Sequence, residues 1–177
     1  MNSKQIEQYL GFLGQKLADM QVKATLVLLG GAMMITQIGN RKTTQDIDVV
    51  IATSDRRTYQ AVQQAVTLVA QEKKLSASWL NDDVTIIVDQ VGRPKFPRYW
   101  KSFAAIDVYI PEFEYIFALK CFSGRTQDDD DIQALAQRLR VQTKRQAWSI
   151  VNTYVPSTVL ISRIGYATQA IDRNFLK

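Results

Sequence analysis

Apolar residues recur every three or four positions through residues 3–20, where Ile6, Leu10, Leu13 and Leu17 share one stripe and predict an amphipathic helix. The pattern then tightens to continuous apolar runs. Residues 24–29 form a β-rich run that ends at Gly30-Gly31, predicting a buried strand entering a tight turn. Residues 32–38 predict a short helix stopped by Gly39, and residues 46–52 a second buried strand. Ser54-Asp55 offers an N-cap for a helix to about Lys74, with Val62, Val66 and Val69 inward. Residues 84–88 (Val-Thr-Ile-Ile-Val) and 104–110 (Ala-Ala-Ile-Asp-Val-Tyr-Ile) are expected as further strands. Pro111 suits the first turn of a helix reaching about Ser123. From Asp128 onward the pattern is helical, with a break at Val155-Pro156. The expected class is α+β: a small mixed β-sheet flanked by helices, followed by a helical C-terminal third. One domain is expected over residues 1–177, with a sheet-containing core to about 127 and a helical part over about 128–177.

The 177 residues suffice for one domain with a sizeable core. No apolar run approaches the roughly 20 residues needed to cross a bilayer, so no membrane partner is expected. The first residues, Met1-Asn2-Ser3-Lys4-Gln5, lack the apolar centre of a secretory signal, and a single cysteine, Cys121, cannot form an internal disulfide. A cytoplasmic location is the expectation. Histidine is absent, which excludes Ser-His-Asp and Cys-His catalysis, imidazole bases and His-built zinc sites. Any metal site must use carboxylates, which suits Mg²⁺ or Mn²⁺. The net charge is +5 and uneven: seven basic residues stand against Asp172 alone from Gln133 onward (Arg138, Arg140, Lys144, Arg145, Arg163, Arg173 and Lys177). Such a tail is compatible with an anionic partner or with solvated helix faces.

Asp46-Ile47-Asp48 opens the second strand. Residues two apart in a strand point to one face, so the carboxylates project together while Ile47 turns to the core. Two adjacent carboxylates repel, and cations stabilise such a pair. Alone, the pair also fits exposed turn aspartates. Upstream, Gly30-Gly31 lets backbone approach a phosphate at the start of a helix. The segment Gly30-Gly31-Ala32-Met33-Met34 with Arg41-Lys42-Thr43-Thr44-Gln45-Asp46-Ile47-Asp48 resembles the first motif of the minimal nucleotidyltransferases, in particular the AbiEii-like group that includes MenT-type toxins. Arg41, Thr44, Asp46 and Asp48 fall on the Arg-x-x-Thr-x-Asp-Ile-Asp pattern without gaps. The resemblance implies a polymerase-β-like nucleotidyltransferase fold.

A downstream block resembles the same family: a helix carrying Lys120, then Arg125, then Asp128, Asp131 and Ile132. Without the family, residues 128–131 read as acids at a helix N-terminus. Lys120, among Ile116, Phe117, Leu119 and Phe122, must snorkel out or meet anions, either a triphosphate or the Asp cluster. For a third carboxylate, Asp107 inside an apolar strand is preferred to Asp89. Trp79-Leu80-Asn81-Asp82 also resembles a recurrent element of related sequences, with no assigned chemistry. The resemblance implies transfer of a nucleoside monophosphate from an NTP to an acceptor hydroxyl. Asp46, Asp48 and Asp107 would hold metal, and Gly30, Gly31, Arg41, Thr44, Lys120 and Asp131 would bind nucleotide. Thr44 could equally make a plain structural hydrogen bond. The acceptor implied is RNA, most simply a tRNA end, which would suit the toxin of a toxin–antitoxin system with a cognate antitoxin. A protein adenylyltransferase, a catalytically silent antitoxin or binding partner, and a DNA-binding regulator on the C-terminal helices remain as alternatives.

Overall fold

A computed structural model describes residues 1–175 of the chain; Lys177 of the basic tail lies outside the described residues. The fold is mixed α+β and resolves into two compact units. The first comprises Met1–Thr85 and Pro97–Ile110, the second Ile86–Phe96 and the chain from Pro111. The second unit thus joins the chain from Pro111 to an earlier segment, Ile86–Phe96.

The first unit contains helix α1 (Ser3–Asp19), strand β1 (Ala24–Leu28), helix α2 (Gly30–Met33) continuing into a π-helical turn (Met34–Ile38), β2 (Ile47–Ile51), α3 (Arg56–Lys73), β3 (Leu80–Asn81), β4 (Arg98–Phe103) and β5 (Ile106–Ile110). The five strands form one sheet in the order β3-β2-β1-β5-β4. β1 runs antiparallel to β2 and parallel to β5, β3 runs parallel to β2, and β4 and β5 form a hairpin. The Ile6, Leu10, Leu13 and Leu17 stripe is fully buried. It brings α1 against α3, β4 and β5. Gly14 makes this approach possible, because a Cβ there would lie 1.8 Å from the Phe103 carbonyl oxygen and 3.0 Å from Ile106. The sheet face toward α1 is accordingly apolar: Leu26, Leu28, Val49, Ile106, Val108 and Ile110 are all buried. The register places Thr25, Val27, Asp48, Val50, Asp107 and Tyr109 on the opposite, more polar face. Asp55 caps α3 by accepting from the Arg57 and Thr58 amides, as Ser54-Asp55 predicts.

β4 was not expected. Its residues are mostly exposed, so no apolar alternation marks it in the sequence. Residues 84–88, expected as a strand, instead place Val84 in a turn and the rest in helix α4 (Thr85–Val91). β-branched residues favour strands. Here burial of Val88 and Val91, one helical turn apart, and closure of the last turn by the Gly92 amide on the Val88 carbonyl decide for helix.

The second unit is built on helix α5 (Phe113–Ser123), against which α6 (Asp129–Leu139), α7 (Lys144–Tyr154) and α9 (Ile164–Asn174) pack; α8 (Ser157–Leu160) is a short connection at the Val155-Pro156 break. Tyr115, Ile116, Phe117, Ala118, Cys121 and Phe122 bury α5 on nearly every side. Pro111 precedes the helix instead of opening it, and Glu112 occupies the N-cap position. The Glu112 carboxylate accepts from the Lys95 and Phe96 amides at 3.1 and 2.8 Å, which ties the preceding loop to the start of α5. No helix among the described residues is long and apolar enough to cross a membrane.

Candidate active site

The first motif converges in the first unit. Gly30 follows β1 after Leu29, at φ +57°, a left-handed backbone that favours glycine. A Cβ at Gly30 would lie 1.9 Å from Asp48 Oδ2, so the Asp48 carboxylate occupies the space that any side chain there would need. Next to it, a Cβ at Gly31 would lie 2.7 Å from Thr44 Oγ1 and 4.0 Å from Arg41 Nη1. Gly30, Gly31, Arg41, Thr44 and Asp48 thus meet at one end of β1, where the Leu29 amide also donates to the Asp48 carbonyl (2.9 Å). The π-helical turn that follows closes on the Gly39 amide to Met34 carbonyl bond (2.8 Å), with Gly39 at φ +78°. Turns of this kind recur at functional sites.

Asp46 lies in the bend just before β2, two residues from Asp48. Both carboxylates are half-buried. Asn81 Nδ2 donates to Asp46 Oδ2 at 3.4 Å, and Asn81 is paired with Asp48 across the β2–β3 register. Asn81 is a site residue that sequence reasoning left without a role, although its segment stood out. Asp82, its neighbour, is engaged elsewhere, accepting from Tyr59 Oη (2.9 Å) and Gln63 Nε2 (3.3 Å). Buried Trp79 fixes this element by donating its indole N–H to the Val66 carbonyl (3.1 Å).

Asp107 does not join the pair. It lies opposite Thr25, whereas Asp48 is level with Leu29, four residues further along β1. At about 3.3 Å per residue the offset along the strands is about 13 Å, beyond sharing one ion. Asp107 is exposed and accepts from Ser102 Oγ instead. Its strand position is not an apolar burial, because its face of the sheet is open at that point. The competitor, Asp89, is on α4, exposed and 3.9 Å from Arg93. Among the described residues, no group of three or more carboxylates or thiols converges in a metal-holding arrangement.

Lys120 and Asp131 belong to the second unit and are committed to one another. Lys120 is 6% exposed. Its ammonium lies 2.8 Å from Asp128 Oδ1 and 2.6 Å from Asp131 Oδ2. Asp128 Oδ2 also accepts from Arg125 Nε (2.8 Å) and Ser123 Oγ (3.1 Å). Burial pushes the Asp128 carboxyl up, but Lys120 and Arg125 outweigh it and hold the group below the usual carboxylate range. Of the two anions open to Lys120, the Asp cluster is the one it meets. Asp131, fully buried, presents nothing to a nucleotide.

Much of the basic tail is also engaged internally. Arg173 bonds Asp129 and the Gly124 carbonyl, and its hydrogen bonds lower the Asp129 carboxyl pKa. Lys144 pairs with Asp172 at 2.6 Å. Arg163 lies over the Phe122 and Tyr166 rings, and Arg138 over Phe113. Four of the tail's seven cations thus make contacts within the helical unit, two of them as ion pairs.

Comparison with protein-family models, with curated proteins and with solved structures finds no match to this chain.

Proposed function

We propose that the chain is a metal-dependent nucleotidyltransferase of the minimal, AbiEii- and MenT-like kind, with a polymerase-β-like core. It transfers a nucleoside monophosphate from an NTP to the hydroxyl of an RNA end, such as that of tRNA. The observation that carries this reading is the contact of glycine backbone with carboxylate: Gly30 leaves room for Asp48, and Gly31 for Thr44 and Arg41. Mg²⁺ typically takes one or two protein carboxylates together with substrate phosphates and water, so the pair Asp46 and Asp48 fits Mg²⁺ or Mn²⁺ without a third aspartate. Bound there, the ion would supply charge neutralisation at the phosphates and activation of the attacking oxygen.

The chain's own residues do the rest. Asn81 links the two carboxylates, donating to Asp46 and pairing with Asp48 across the β2–β3 register. Gly30 and Gly31 bring backbone close enough to meet a triphosphate, with Arg41 and Thr44 beside it. The acceptor oxygen forms a bond to the α-phosphorus, the α–β phosphoanhydride breaks, and pyrophosphate leaves. With no histidine in the chain, a carboxylate or solvent takes the acceptor proton. This reading suits a cytoplasmic enzyme, and a toxin checked by a cognate antitoxin.

The absence of a third converging carboxylate among the described residues favours one second reading, a catalytically silent binding partner on the same fold. One assay separates the two: labelled NTPs, total RNA and Mg²⁺, run with the wild type beside Asp46→Ala/Asp48→Ala. Transfer to RNA that vanishes in a folded double variant is the expected result. Label on protein alone would point to an adenylyltransferase, no transfer from any NTP would leave the silent partner, and transfer surviving the double substitution would remove these residues from the mechanism.

A further inference from the structure

Residues 93–101, Arg-Pro-Lys-Phe-Pro-Arg-Tyr-Trp-Lys, hold four cations and three aromatic rings with no acid. Their second half forms β4, the last strand of the sheet, with one edge unpaired. Tyr99 is 55% exposed, and its ring packs edge-on against Tyr109 of β5 (centroids 5.8 Å apart). The β4–β5 register slips between Tyr99 and Lys101, leaving Trp100 as the extra residue. This bulge returns Tyr99 and Ser102 to a single face. That face is the one carrying Tyr109, Asp107 and, further along, Asp48. The Ser102 hydroxyl donates to Asp107, so the Tyr99 hydroxyl must donate to Ser102, 2.9 Å away. Arg98 opens the strand beside Tyr99, donating to Gln37 Oε1 at 3.0 Å. Lys101 is exposed and also pairs with Glu7 at 2.5 Å.

From these observations we infer that β4 and β5 form the platform on which the RNA acceptor lies, with unpaired bases stacked on Tyr99. The inference rests on the nucleotidyltransferase reading and names where that enzyme takes its acceptor. Exposed aromatic rings flanked by cations bind single strands by stacking and phosphate contact. Two strand spacings and two residues of rise separate Asp48 from the level of Tyr109, about 12 Å in all. A strand stacked on the tyrosines can therefore carry its terminal hydroxyl to the carboxylate pair along one face of one sheet. Asp107 has a role in this arrangement. A carboxylate repels phosphate but accepts from a ribose 2′-hydroxyl, the group that distinguishes RNA from DNA.

The test is binding of a fluorescein-labelled single-stranded RNA of about 12 nucleotides, within the usual site size, to the full chain in EDTA without NTP. Tyr99→Ala is expected to weaken binding by roughly 5- to 100-fold, the loss of one stacked base. Tyr99→Phe and Tyr99→Trp should keep most of the affinity, and Arg98→Ala should lower the salt slope by about one. The same sequence as DNA should bind less tightly. Unchanged binding in a folded Tyr99→Ala protein, equal affinity for DNA, or binding of an extended peptide to β4 in place of RNA would each overturn the assignment. If transfer to RNA occurs but ignores Tyr99, the platform fails and the enzyme stands. If binding depends on Tyr99 but no NTP is consumed, the platform stands and the enzyme fails.

Discussion

Adding one methyl group at Gly30 is the sharpest probe of the carboxylate site. Gly30→Ala imposes two costs. The left-handed backbone at φ +57° costs a side chain about 1–2 kcal/mol. A Cβ 1.9 Å from Asp48 Oδ2 also cannot be accommodated, and displacing that half-buried carboxylate should add about 1–3 kcal/mol, as for other overpacked positions. The second cost should fall when Asp48 is truncated, since Asp48→Ala leaves only its Cβ, at 3.1 Å, a close but milder contact. A double-mutant cycle by urea unfolding, followed by circular dichroism and by Trp fluorescence (Trp79 is buried in the same unit), isolates the contact. The expected coupling between Gly30→Ala and Asp48→Ala is about 1–3 kcal/mol, with the backbone cost remaining in the truncated background. Transfer by Gly30→Ala should fall about 100-fold, the scale of an ångström's misplacement. If Gly30→Ala costs the same in both backgrounds, with coupling under about 0.5 kcal/mol, the carboxylate does not fill the glycine's space and the site is drawn wrongly.

The Lys120 cluster should prove structural: Lys120→Met strands two buried aspartates and should lower unfolding free energy by about 3–5 kcal/mol in urea titrations, whereas a loss under 1 kcal/mol would show that the network is not held by the ammonium. The cluster also sets an acid limit. Asp128 has a folded pKa below its unfolded value near 4, so its stabilisation is present above about pH 4 and is lost as pH falls through the folded value; in Lys120→Met burial is opposed without the ammonium, and acid unfolding should begin at higher pH. Asn81→Asp should place a third carboxylate against Asp46, lowering the melting temperature in EDTA and raising it with Mn²⁺ by more than in the wild type; an equal Mn²⁺ response in both proteins would show that Asp46 is not at a cation site.

The first motif was legible because its parts are neighbours in sequence and their chemistry is local. A strand, two glycines and a closely spaced aspartate pair specify a close backbone approach with little help from the rest of the chain. Asp107 misled because alternation tells which face a residue takes but not its height; height depends on the register of β5 against β1, a long-range pairing. Residues 84–88 misled for a related reason, since β-branched content described their preference while burial of Val88 and Val91 set their conformation. Lys120 was read correctly as needing anions, but whether these were aspartates or a triphosphate depended on how Asp128 and Asp131 fold back at the start of α6. β4 left no apolar trace at all, and its signal was charge and aromaticity, which speak of a surface rather than a strand.

The π-helical turn at Met34–Ile38 bears on how this sequence can change. A π turn holds one more residue than an α turn for the same closing geometry, so it acts as a stored insertion. Deleting a single residue there, Thr36 for instance, could relax the turn to an α-helix with its backbone bonds kept. The segment from Gly39 to β2 would then leave the helix at nearly the same angle, keeping Arg41 and Thr44 beside Gly31. These five residues can thus lose one member with less disturbance than an α-helical turn could, and homologues should vary in count here as well as in side chain.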